Sequence, residues 1–388
     1  MRPRTFPWAS VSGGQMISPD RRPSVRPSQS MVMLVVLALS ACSADAVEPT
    51  PSAVASTGAT WSAEAASPSA EASAEPDWTA LESLEPLVTE TIPLTADWPW
   101  LSLATAIGED IWWPNGNEGG PPAVARLNAK TMEVVAVIDL EGEEGVFPPD
   151  AWGSAPSQSG GIWVPLAYQN AVVRIDPETN DVAQRIELDA TPYAVTEDGD
   201  DLWIADWENS EVLRIDIPTG EETMRVAGVT EPTEIVIGEE GLWVNVHSTN
   251  EIVRLDPETG EELARVEIGG RPGMTLGDGS VWARSDDEQL VMRIDPATNA
   301  VVATIPMPSH PTGLLIAGDA VWVATGPQRG SCERNSYLVR IDPASTQPDG
   351  IMEMPCLFGL MSDGTQLWAG RTADEGPEML RLEVAASP

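Results

Sequence analysis

The chain has 388 residues and a formal charge of −39, from 21 Lys and Arg against 60 Asp and Glu, with Lys130 as its single lysine. Such a surface repels phosphate and offers no basic stripe that could release counterions, which argues against nucleic-acid binding. The acidic excess favours either cationic ligands or plain solubility, and the length suits two or three average domains or one long repeat fold.

At the N-terminus, Arg21, Arg22 and Arg26 precede the apolar run MVMLVVLAL at 31–39. A bilayer span needs about 20 apolar residues, so this run is too short to cross one and instead fits the core of a secretory leader. Leu39, Ser40, Ala41 and Cys42 follow it. This Leu-Ser-Ala-Cys resembles the lipobox of bacterial lipoproteins. That resemblance implies a signal peptide over 1–41, a lipid-anchored Cys42 and a position outside the cytoplasmic membrane, at the cell surface or in the periplasm. An ordinary cysteine behind a buried apolar strand is the alternative. Residues 42–84, rich in Ala, Ser, Glu and Pro, bury too little apolar surface to offset chain entropy and are expected to form a disordered tether.

From about residue 87 one phrase recurs. An aliphatic residue and tryptophan return at Trp112, Trp163, Trp203, Trp243, Trp282, Trp322 and Trp368. An arginine followed by an aliphatic residue trails each, at Arg126, Arg174, Arg214, Arg254, Arg293, Arg340 and Arg381. A period near 40 residues with only strand and turn signals predicts propeller blades of four strands. In one copy, PTEIVIG (232–238), LWVNV (242–246), EIVRL (251–255) and ELARVEI (262–268) are the four strands, divided by Gly, Asn, Asp and Pro. DPETN at 176, DPETG at 256 and DPATN at 295 read as tight turns between third and fourth strands, the aspartate accepting backbone hydrogen bonds and the final Gly or Asn taking the left-handed conformation.

LVTETIPL (87–94) has the pattern of an outer strand, whereas nothing of that kind follows RLEV (381–384). The N-terminal strand is therefore expected to complete the last blade, closing an all-β, seven-bladed propeller over 85–388 with four antiparallel strands per blade.

The phrase LWV…N-x-V-x-R-I-D-P-x-T-G…P-x-x-I resembles bacterial extracytoplasmic β-propellers of the YVTN (YncE-like) group and the related virginiamycin B lyase-like propellers. The absence of a Pro-His motif, the long cysteine-bearing loop and the acidic rim lead to the expectation of a monomeric binding or scaffold module with a small molecule or protein at the channel mouth. The lyase resemblance implies an enzyme that opens a peptide lactone by proton abstraction with Mg²⁺, using Glu-Pro-His or Pro-His-Gly where inner strands begin. Here those positions read Trp98-Pro99-Trp100, Thr191-Pro192-Tyr193, Glu231-Pro232-Thr233, Arg271-Pro272-Gly273 and His310-Pro311-Thr312. Glu231 matches the glutamate; Thr233 stands where the histidine would be, and His310 precedes its proline.

Loops leading into inner strands and loops joining second to third strands share one face of a propeller. Candidate ligand-binding residues there are Trp100, Tyr193, Trp207, Glu231, His247, Arg271 and His310, with Glu208, Asp286 and Asp287 beside them. Both histidines read equally as ordinary loop residues. No G-x-S-x-G, H-E-x-x-H or phosphate-binding glycine loop occurs, so neither a catalytic set nor a metal-ligand set is assigned, and Mg²⁺ or Ca²⁺ enters only through the lyase resemblance. Once Cys42 is acylated, Cys332 and Cys356 are the remaining thiols of a chain in an oxidising compartment, and a disulfide between them would pin the long loop 325–337 over the mouth.

Overall fold

The computed structural model describes residues 74–94, 104–115, 123–140, 153–326, 336–357, 359–373 and 376–384. The chain divides into two units, 1–60 and 61–388, and every described residue belongs to the second. The leader, Cys42, most of the expected tether, Trp98, Trp100 and Cys332 lie outside the described residues.

Seven four-stranded antiparallel arrays form the second unit. The fourth blade is typical: Pro232–Gly238, Gly241–Val246, Glu251–Leu255 and Glu262–Glu267 run from centre to rim. The first strand of each blade touches the first strand of the next, and the seventh returns to the first, so the inner strands ring a channel.

In all seven blades the recurrent tryptophan lies directly opposite the recurrent arginine across the second and third strands. The tryptophans are 0–1 % exposed. Each fills the space between its own blade and the next: Trp243 packs on Met274 and Val281 of the fifth blade, and Trp368 on Ile111 and Leu127 of the first. The Trp368 indole N–H also donates to the Ala129 carbonyl at 3.0 Å, which ties the last blade to the first.

The Asp-Pro turns are as expected. Asp256 Oδ1 accepts from the backbone N–H groups of Glu258 (2.8 Å) and Thr259 (3.0 Å). The closing position is left-handed whether Asn180, Gly220, Gly260 or Asn299 occupies it. A further use of these turns is not visible in one blade's sequence. Arg254 Nη1 donates to the Pro296 carbonyl and to Asn299 Oδ1 (3.0 Å) in the turn of the following blade. Arg126, Arg214 and Arg293 reach Pro177, Pro257 and Pro343 in the same way. In these four blades the arginine is thus a staple to the next blade, whereas Arg174, Arg340 and Arg381 pair with Ser159, Asp349 and Glu90 of their own blades.

Closure is as the sequence predicts. Val88–Pro93 pairs antiparallel with Gly376–Glu383 as the outer strand of the seventh blade, covering the edge that Gly376–Glu383 would otherwise expose. The tether boundary needs correction, because ordered structure begins before residue 85. Asp77 caps a short 3₁₀ turn over Trp78–Ala80, and Glu82–Ser83 adds a parallel strand to the rim of the sixth blade. Trp78 packs on the core between the fifth and sixth blades, and Leu84 is fully buried between the sixth and seventh. Gly350 makes room for it: a Cβ there would lie 2.4 Å from Leu84 Cδ2. Two apolar side chains hold this segment down, and composition averaged over 42–84 concealed them.

Candidate functional site at the channel mouth

Prolines open three successive inner strands, at Pro192, Pro232 and Pro272. Two of the residues before them, Glu231 (φ 48°) and Arg271 (φ 53°), are left-handed, a sparsely populated conformation that marks a sharp turn into the strand. Backbone hydrogen bonds tie these turns to the loops after the second strands: Trp207 N–H to Thr191 O (3.2 Å), His247 N–H to Glu231 O (3.3 Å) and Asp287 N–H to Gly270 O (3.3 Å). The two loop sets therefore meet on one face. The described candidates there fall into two groups.

The first group is aromatic. Tyr193 and Trp207 stack with ring centroids 5.2 Å apart and planes at 28°, and Trp207 meets His247 at 6.1 Å and 41°. This run spans the third and fourth blades. A wholly buried carboxylate braces it: Asp206 accepts from Thr191 N–H (3.1 Å), Asn209 N–H (3.3 Å) and the Asn209 amide (2.8 Å), fixing the loop that carries Trp207. Burial raises the Tyr193 hydroxyl above its ordinary range. Glu231 joins the group only through its carbonyl bond to His247.

The second group is charged and centres on Asp286, which is buried. Arg271 pairs with Asp286 at 3.4 Å and with Asp287 at 3.9 Å. His310 Nδ1 lies 2.8 Å from the Asp286 backbone oxygen and 3.6 Å from its carboxylate. A carbonyl can only accept, so the neutral imidazole carries its proton on Nδ1 and leaves Nε2 as the basic nitrogen. Arg271 and His310 are thereby brought together. Glu231 and His247 belong to the aromatic side instead.

Sequence reasoning missed two members of this wall. Glu234, on the inner strand of the fourth blade, accepts from Met274 N–H at 3.0 Å. Burial pushes its carboxyl up, against the attraction of Arg284. Arg284 sits two residues after Trp282, where other blades carry Ala205, Asn245, Ala324 or Gly370. That break in the repeat was the available signal.

A divalent ion does not fit here. The Arg271 guanidinium already stands as the cation against Asp286 and Asp287. Among the described residues no group of three or more His, Cys, Asp or Glu side chains could hold a metal. In the acidic runs at 197–201 and 285–289, Asp201 pairs with Arg214, Glu197 accepts from the Trp163 indole, and Asp286 is enclosed rather than solvated.

Neither a protein-family profile nor a curated protein sequence matches the chain. Solved structures do. Virginiamycin B lyase from Staphylococcus aureus superposes with a TM-score of 0.56 at 19% identity, covering 76% of this chain and 99% of that one. A streptogramin B lyase gives 0.57 at 17% identity, over 76% and 97%. A chain of a mitotic checkpoint complex gives 0.59 at 13%, over 76% and 94%. That one fold spans a lyase and a checkpoint assembly shows how little it says of activity. At these identities the likeness is one of architecture, and the chain is similar in fold to seven-bladed β-propellers of the virginiamycin B lyase type.

Proposed function

We propose that this propeller is a binding module that engages a small molecule or a protein through the channel mouth, held outside the cytoplasmic membrane by a lipid on Cys42. The observation that supports binding is the braced aromatic run of Tyr193, Trp207 and His247, which presents ring surface at the mouth from two blades. Half-exposed aromatic side chains with an apolar body and polar tip are the residues most able to anchor a ligand or partner. A disulfide between Cys332 and Cys356, as the sequence leads one to expect, would pin the loop 325–337 over the mouth.

The test is a thermal-shift screen of the full chain against a metabolite panel with Mg²⁺ and Ca²⁺, repeated on Trp207→Ala. A stabilising ligand is expected whose affinity the substitution lowers by about thirtyfold, the loss of a central aromatic anchor. A ligand bound equally by both proteins would remove the aromatic run from the site. Fatty-acid labelling that is lost in Cys42→Ala tests the anchor.

One observation favours a second reading, a lyase. His310 is oriented by Asp286 so that Nε2 can take a proton, as a general base requires. Quinupristin, bound in one solved lyase structure, is the substrate to try. Turnover that disappears in His310→Ala would establish this reading over simple binding.

A further inference from the structure

We propose that the Nε–Nη2 edge of Arg284 is a binding fork for the carboxylate of a small organic acid, set in the channel wall just inside the mouth. The proposal deepens the mouth-binding reading and rests on it, since it names the ligand chemistry of one part of that surface.

Arg284 breaks the repeat at a point where its neighbours are small or uncharged, so blade architecture does not require it. Its cross-strand partner on the inner strand is Gly273. A Cβ on Gly273 would lie 2.7 Å from Nε and 2.8 Å from both Cζ and Nη2, so the missing side chain is what lets the guanidinium lie there. The equivalent residues after the prolines of other blades are Tyr193, Thr233 and Thr312. Two departures from the repeat, an arginine gained and a side chain lost, thus act on the same few cubic ångströms.

The guanidinium is fixed along one side. Nη1 donates to the Pro311 carbonyl at 3.1 Å, with the Arg271 carbonyl at 3.5 Å, so it is held between the starts of two inner strands. Among the described residues Nε and Nη2 have no hydrogen-bond partner, and the Arg284 side chain is partly exposed. Neither nearby carboxylate bonds to Arg284: Asp286 pairs with Arg271 through Oδ2, and Glu234 accepts from Met274. The group is otherwise closely enclosed, and burial lowers its proton affinity, with Glu234 and Asp286 opposing that shift. An enclosed cation with two parallel N–H donors still open lacks the acceptor pair that would complete it.

Nε–H and Nη2–H point the same way at the spacing of two carboxylate oxygens, and such a bidentate pair is stronger and more directional than a single charged hydrogen bond. A monoanion suits the surroundings better than phosphate. Asp286, Glu234 and a surface of charge −39 penalise each added negative charge.

The experiment titrates the full chain with sodium acetate and sodium benzoate against equimolar sodium chloride, by calorimetry and thermal shift. Wild-type protein should bind the carboxylates saturably where chloride is silent. Arg284→Lys keeps the charge and loses the fork; its affinity should fall about tenfold or more. Gly273→Ala displaces the guanidinium and should have the same effect, and it decides the matter if the lysine variant does not fold. The metabolite screen of wild type and Trp207→Ala reads the mouth-binding proposal separately, so a ligand found there beside a silent carboxylate titration overturns the fork alone. No carboxylate binding beyond chloride, or unchanged affinity in folded Arg284→Lys or Gly273→Ala, overturns it.

Discussion

Trp243 and Arg254 face each other across two strands of the fourth blade, with the guanidinium carbon 5.3 Å from the indole centroid. The same arginine extends into the next blade to the carbonyl of Pro296 and the amide oxygen of Asn299. One side chain therefore covers its own blade's core and fastens the neighbouring turn. Arg254→Ala removes the cation–π contact and leaves the Pro296 carbonyl without its donor, a loss of about 2–3 kcal/mol. Arg254→Lys should recover only part of it, because a single ammonium does not reproduce the planar fork. Urea unfolding of the two variants checks this.

Ring closure depends on Val88–Pro93. A chain that begins at residue 96 should melt far below the full protein and aggregate through the bared edge of Gly376–Glu383. A chain that begins at residue 77 should melt with it. Circular dichroism melts of both would test the closure, and equal melting temperatures for the 96 and 77 chains would contradict it.

Leu84 predicts a separate effect. It is fully buried between the sixth and seventh blades, outside the closing strand itself. Leu84→Ala should cost roughly 3 kcal/mol, the usual range for a buried leucine. Gly350→Ala should be destabilising too, since its methyl group would fall on Leu84. Denaturant midpoints measure both.

Glu234 gives a pH dependence of defined sign. Its folded value is raised by burial above the ordinary 4.5, so the fold prefers the protonated form. The stability this group contributes is complete below the ordinary value and is lost as pH rises through the folded one. Glu234→Gln, fixed in the neutral form, should raise the melting temperature by about 2 °C at pH 8 and leave it unchanged near pH 4. The opposite trend would mean that attraction to Arg284 outweighs burial.

The Cys332–Cys356 bond is tested by mass spectrometry of non-reduced peptides. A cross-linked pair is expected, and two freely alkylated thiols would show that the 325–337 loop is not held in this way.

The blade plan was legible in the residues because it is local and repeated. Tryptophan must alternate onto one face of a strand, and Asp-Pro-x-Thr-Gly must turn. Seven copies reinforce each signal. The 77–84 segment was not legible, because Trp78 and Leu84 are two apolar residues in a polar stretch, and their value depends on distant surfaces. At the mouth, the face on which Tyr193, Trp207, His247, Arg271 and His310 lie followed from blade position. Their division into an aromatic run and an Asp286-centred charge group did not, since it depends on which loops meet.

What the sequence determined by itself is therefore the blade count, the strand and turn boundaries and the closure, all of which follow from period-two alternation and turn chemistry within about forty residues. Only the tertiary structure decided that the recurrent arginine of four blades staples the next blade, that Leu84 fills a groove cleared by Gly350, and that Arg284 lies in the space left by Gly273. These relationships depend on which strand, turn or segment is brought alongside, which the residues of one blade do not state. They exist only once the ring has closed and set the inner strands side by side.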